Sequence, residues 1–156
     1  MKMLRGPAAL VLIAGAVNAA IAHDFHVGAI GVDRARVGPS AVGQREDLAF
    51  LTITNSGKDD VLVAATSSAA SSVELRAAIP TEGGTTTRTL SAIPIPANST
   101  LELKRQGYHL TFISLNHSFA AGDSIAATLH FSSGAELIVE FQVDEAIRGE
   151  VRADQK

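Results

Sequence analysis

From residue 47 onward the chain is a succession of short segments in which every second residue is apolar, each stopped by Gly, Asn, Asp or Ser. A period of two marks half-buried antiparallel strands, and turn residues at such spacing mark their ends. Residues 48–54 (Leu-Ala-Phe-Leu-Thr-Ile-Thr) form one strand, stopped by Asn55-Ser56-Gly57, and residues 61–66 close a hairpin on it. In residues 72–79, Val73, Leu75, Ala77 and Ile79 share one face and Ser72, Glu74, Arg76 and Ala78 the other. Glu82-Gly83-Gly84 turns the chain into a β-branched strand at residues 85–90, and Pro94 and Pro96 make an extended connection. Leu101 and Leu103 face inward, residues 108–115 follow Gln106-Gly107, and residues 125–131 and 137–143 form a last pair across Ser132-Ser133-Gly134. Upstream, residues 23–44 are irregular, with a short strand at 25–32 loosened by Gly28 and Gly31 and a loop at 37–43. No segment after the first 22 residues carries a helical period. The pattern predicts an all-β sandwich or Greek-key barrel, ending in a charged tail at residues 144–156 that is expected to be mobile.

The first 22 residues follow a different rule. Lys2 and Arg5 precede an apolar run at residues 8–17, and Ala20-Ile21-Ala22 supplies the small-x-small pattern of a signal-peptidase site. The run is shorter than the roughly 20 apolar residues needed to cross a bilayer. An exported protein cleaved after Ala22 is expected, with a periplasmic location and no membrane insertion of the mature chain. Removing Lys2 and Arg5 leaves 11 basic against 16 acidic residues. That acidic balance, without a basic run, excludes a nucleic-acid-binding surface. The sequence contains no cysteine, and both of its methionines, Met1 and Met3, lie in the leader. The mature chain therefore holds no sulfur.

Catalytic motifs are missing. No Gly-x-Ser-x-Gly elbow, phosphate loop or His-Glu-x-x-His occurs, and the acidic residues fall on outward strand positions. A non-enzymatic role is expected. The residues with metal-binding potential are the five histidines. His23 would become the mature N-terminus, where an amine and an imidazole together suit copper(II), and His26 could add a third nitrogen. His109 shares a strand face with Thr111, whereas His117 and His130 read as surface residues.

Several blocks, in order, resemble the periplasmic copper chaperones of the PCu(A)C type. They are Ala22-His23-Asp24-Phe25 with Gly28, Ala49-Phe50-Leu51-Thr52-Ile53-Thr54-Asn55 with Gly57, and Ser72-Val73-Glu74-Leu75. They continue with Ile93-Pro94-Ile95-Pro96-Ala97, Leu101-Glu102-Leu103, Gly107-Tyr108-His109-Leu110 and Gly122-Asp123. The resemblance covers residues 22–143 and implies a cupredoxin-like Greek-key β fold. It also implies copper(I) bound by a histidine after Val-Glu-Leu, downstream methionines and a His-x-Met pair after Gly-Tyr. Here the residue after Val-Glu-Leu is Arg76, no methionine lies between Ala77 and Leu90, and the pair is His109-Leu110-Thr111. The family's His-Pro-Trp stretch is replaced by Val32-Asp33-Arg34.

Cuprous copper is soft and selects sulfur ligands, so this site cannot be reproduced without methionine or cysteine. The expectation is an exported copper-binding, chaperone-like protein with a degenerate copper(I) site. Its metal candidates are His109, His23 and His26, its metal is copper(II), and its partner is a copper-receiving oxidase of the periplasm or membrane. The competing expectation is a metal-free β module of the same fold that binds a protein partner.

Overall fold

A computed structural model describes residues 24–41 and 44–148. The leader, its cleavage point and His23 lie outside the described residues. Among the described residues no helix is long and apolar enough to cross a membrane.

The strands are β1 (Phe25–Val27), β2 (Ile30–Val37), β3 (Glu46–Asn55), β4 (Asp60–Thr66), β5 (Ala70–Thr81), β6 (Gly84–Leu90), β7 (Ile93–Ile95), β8 (Ser99–Leu103), β9 (Tyr108–Leu115), β10 (Ser124–Phe131) and β11 (Glu136–Val143). Their pairing runs β2-β11-β10-β4-β5-β9-β3, and β3 returns to β2, which closes a barrel. Every pair in that ring is antiparallel except β2–β11. β1, β6, β7 and β8 are appended to β2, β5, β4 and β3 respectively. Closure removes most of the open edges that a sheet would otherwise expose.

Alternation fills the barrel as expected. Leu51, Ile53, Leu62, Leu110, Leu129, Val139 and Phe141 are fully buried. Phe112 meets Phe119 and Phe141 edge-on, with ring centroids 6.0 and 5.8 Å apart, a geometry in which the positive ring edge meets the negative face. Phe119 is held at this position by Ser40, whose Oγ accepts from its backbone N–H at 2.8 Å. Buried Asn55 fixes the β3–β4 turn. Its amide donates to the carbonyls of Lys58, Ile95 and Pro96, and its carbonyl accepts from Gly57 N–H.

Four local expectations are revised. The strands at 48–54 and 61–66 do not form a hairpin, because β3 pairs with β2, β8 and β9 whereas β4 pairs with β5, β7 and β10. The single strand at 25–32 is a hairpin, because Gly28 (φ 57°) takes a left-handed conformation and pairs Val27 with Ile30. The extended connection at Pro94 is a short strand on β4, where proline's missing N–H is tolerated on an edge. The tail does not leave the domain at residue 144. Residues 145–148 form one helical turn, Ile147 is buried against Gly38, and Arg148 donates to the Pro39 carbonyl at 3.2 Å. A single apolar residue in a charged stretch has no periodicity to announce such docking. Residues 149–156 lie outside the described residues.

Candidate functional site

β9 presents two opposite faces. Leu110 and Phe112 enter the barrel core, while His109 and Thr111 point away from it yet are also buried. The register places Arg76 of β5 directly beside His109, and Glu74 beside Thr111. On the other side of β9, Leu48 of β3 stands opposite Thr111. One small surface thus carries Arg76, the residue after Val-Glu-Leu, together with His109 and Thr111, the two positions where the resemblance implies a His-x-Met pair.

Arg76 dominates this surface. Its Nη1 and Nη2 donate to the two oxygens of Glu46 at 3.0 and 3.2 Å, and its Nε donates to Glu74 Oε2 at 2.8 Å. Thr89 Oγ1 donates to the same Glu74 oxygen at 3.2 Å. The forked guanidinium matches a carboxylate in this bidentate way better than any other cation. The Glu46 hydrogen bond raises the Arg76 pKa above its ordinary value, against a smaller loss from burial. The network ties β3, β5 and β6 together at the place where the family resemblance puts a copper ligand.

His109 is 3 % exposed, and its Nδ1 lies 3.1 Å from the Gly107 carbonyl. A carbonyl only accepts, so this contact requires the proton on Nδ1 and leaves Nε2 with its lone pair. A carbonyl partner on one ring nitrogen is the usual way to orient a metal-ligating imidazole. Burial lowers the His109 pKa, and the charges of Arg76 and Arg105 push it the same way, against the Gly107 bond. The ring is therefore neutral at pH 7, but it faces a positive field. Thr111 is fully buried, and its Oγ1 has no hydrogen-bond partner among the described residues.

The other histidines do not converge on this place. His26 is exposed on β1, where its ring overlies Gly31, and an ideal Cβ there would sit 2.8 Å from Nδ1. Gly31 pairs with residue 54 of β3, whereas Leu110 pairs with residue 49, a separation of about 17 Å along that strand. His117 packs edge-on to Phe119 at 5.5 Å. Both ring nitrogens of His130 are engaged, Nε2 with Thr66 and Nδ1 with Glu136, each at 3.1 Å. Among the described residues no three His, Asp or Glu side chains gather where they could hold one metal ion. His23 lies outside them, so the N-terminal pair is left as a sequence reading.

Sequence reasoning picked out Arg76 and His109 but missed Glu46, which sits 30 positions from Arg76 and pairs with it only through the fold. It also missed Arg105 and Gln106, which flank a cavity of about 420 Å³ beside His109.

Residues 30–143 match the family described as "Putative lipoprotein LpqE-like". A relative from Leifsonia xyli subsp. xyli (strain CTCB07), "Putative lipoprotein Lxx21020", is 36 % identical over 107 residues, or 67 % of this chain. The match spans 64 % of that relative's length. Among solved structures, the apo PCuAC domain from PmoF1 superposes with a TM-score of 0.67 at 19 % identity, over 78 % of this chain and 98 % of that one. The copper-bound PCuAC domain from PmoF2 gives 0.66 at 20 %, over 78 % and 97 %. The copper(I) form of DR1885 from Deinococcus radiodurans gives 0.56 at 27 %, over 74 % and 80 %. With its closed mixed barrel, its appended strands and this match over most of its length, the chain belongs to the LpqE-like family and has the PCuAC, cupredoxin-like all-β fold.

Proposed function

We propose that this protein is an exported, non-catalytic copper chaperone-like protein that has given up the sulfur-ligand copper(I) site and handles copper(II) on nitrogen ligands. The observation that carries the reading is His109, kept on a PCuAC barrel with its Nδ1 held by a carbonyl and its Nε2 lone pair free for a metal. Likeness to the copper(I) form of DR1885 at 27 % identity supports the copper assignment. One imidazole beside a guanidinium binds copper weakly, so the stronger site is the processed N-terminus, His23 with His26. The recipient is a copper-dependent oxidase of the periplasm or membrane. The family description names a lipoprotein, but none of these 156 residues is a cysteine able to carry a thioether-linked lipid.

A second reading, a metal-free module that binds a protein partner, is favoured by one specific feature. Arg76 with Glu46 and Glu74 already fills a ligand position with an ion-paired network. Titration of the processed protein with copper(II) and copper(I) against a competing chelator separates the two. Copper(II) binding lost on adding one residue before His23 supports the terminal site, and binding lost in His109→Ala moves it to the barrel. No binding tighter than that of the unfolded chain overturns the copper reading in favour of the module.

A further inference from the structure

The β5–β6 hairpin outruns the barrel. β9 pairs with β5 only as far as Ala77↔Tyr108, whereas β5 and β6 stay paired to Thr81↔Gly84. Ala78 N–H donates to the Gly107 carbonyl at 3.0 Å and anchors the overhang over the β8–β9 turn. That bond also fixes which way the backbone groups of the hairpin point, because successive residues of a strand turn their N–H and C=O groups to opposite edges. Ala78 turns its N–H away from β6, so Ala77 and Ile79 turn theirs toward it, where they meet Arg88 and Thr86. Thr86 and Arg88 therefore bond to β5, while Thr85, Thr87 and Thr89 present their N–H and C=O groups at the outer edge. Within the described residues β6 pairs with β5 alone.

This edge lacks the usual protections. An open edge is a template for another strand, and proteins blunt it by keeping it short or by placing lysine, proline or a bulge on it. The appended strands β1 and β7 have three residues each and β8 has five. β6 has seven, of which residues 84–89 are exposed, its register with β5 is unbroken, and it contains no Pro, Lys, Asp or Glu. Its one charge is Arg88. The strand is complementary to itself when paired antiparallel about Thr87. Thr87 then faces Thr87 of a second copy, Thr85 faces Thr89, and Thr89 faces Thr85. These are the residues with outward groups, and each such pair exchanges both N–H···O bonds, about six bonds in all. Arg88 falls opposite Thr86, so no like charges meet. Pairing about Arg88 would oppose two guanidiniums, which is unfavourable, and pairing about Thr86 would leave Thr89 opposite Gly83, outside the strand.

We propose that two copies of this chain join β6 to β6 as an antiparallel dimer, with the two-fold axis at Thr87 and one sheet continuing from barrel to barrel. The dimer lies beyond the copper reading and stands or falls without it. The test is sedimentation velocity of the processed, metal-free protein over a series from about 1 μM to 1 mM, in which a reversible monomer–dimer equilibrium is expected. Thr87→Pro removes the N–H at the axis without touching the ladder to β5, and should raise the dimer dissociation constant about tenfold or more. Thr86→Glu sets a carboxylate opposite Arg88 of the second copy, twice by symmetry, and should lower the constant several-fold. The mature chain holds no cysteine, so single cysteines read the register directly. Under mild oxidation Thr87→Cys should cross-link two copies, since the Cα atoms of a bonded pair lie about 5.5 Å apart. Thr85→Cys should not, because the two copies of that residue lie about 13 Å apart along the strand. The cysteine pair of variants keeps the test valid if the proline variant fails to fold. A monomer at every concentration, a dimer indifferent to Thr87→Pro or to Thr86→Glu, or equal cross-linking at both positions overturns the proposal.

Discussion

Replacing Asp47 by Asn should abolish a loss of stability that the protein suffers between pH 5 and pH 8. Asp47 lies on β3 opposite Phe112, 7 % exposed, and its Oδ2 is buried without a hydrogen-bond partner. Burial raises its pKa from 3.8 to about 7, against the Leu48 backbone hydrogen bond and the charge of Arg148, which both lower it. The folded state therefore keeps its proton up to about pH 7, while the unfolded chain loses it near pH 4. In that window the native state binds more protons than the unfolded one, so stability falls as pH rises and levels off above the folded pKa. At 1.36 kcal/mol per unit, linkage puts the loss from pH 5 to pH 8 at about 2.5 kcal/mol. Asn has the same shape and nothing to ionise. The stability of Asp47→Asn relative to wild type should thus climb by about 2.5 kcal/mol over those three units, whatever its offset at pH 5. Denaturant unfolding at both pH values, with slopes compared, measures this double difference, in which every other titrating group cancels. A difference between the proteins that stays constant within about 0.5 kcal/mol from pH 5 to pH 8 would refute the assignment of a buried, protonated Asp47.

The remaining predictions concern the docked tail and the surface around His109. Ile147→Ala should destabilise the fold by about 2–4 kcal/mol, because Ile147 is 2 % exposed against Gly38, and thermal unfolding will read it as a drop in Tm. No change in Tm would mean that the segment at residues 145–148 is not docked. Arg76→His combined with Thr111→Met restores two of the residue types that the family resemblance implies around His109. Competition with a chromophoric chelator should then show copper(I) affinity up by roughly tenfold or more over wild type. The same variant should unfold more easily, since Glu46 and Glu74 lose their cation and a longer side chain enters the filled Thr111 position. Unchanged copper(I) affinity would show that the surface on β5 and β9 is not a vestigial metal site.

The alternation of apolar and polar residues determined the strands, because burial on one face of a sheet is written with period two into each segment. The runs at 48–54, 72–79 and 137–143 correspond to β3, β5 and β11 within a few residues. Composition limits the chemistry as firmly: without sulfur after residue 3, no packing arrangement can build a thioether or thiolate metal site. That Arg76 follows Val-Glu-Leu and His109 follows Gly-Tyr, the places where the resemblance implies ligands, could also be read from local blocks. What Arg76 does was decided by the tertiary structure, since its bidentate partner Glu46 lies on β3, 30 positions away, and only barrel closure brings the two together. The same holds for Ile147, seated on Gly38 more than 100 positions upstream, and for the cavity between the β5–β6 overhang and the β8–β9 turn. A side chain's preference for burial is a property of the residue and its immediate neighbours. Which residues from distant segments share a surface depends on strand order and register, and a pattern confined to one segment does not contain them.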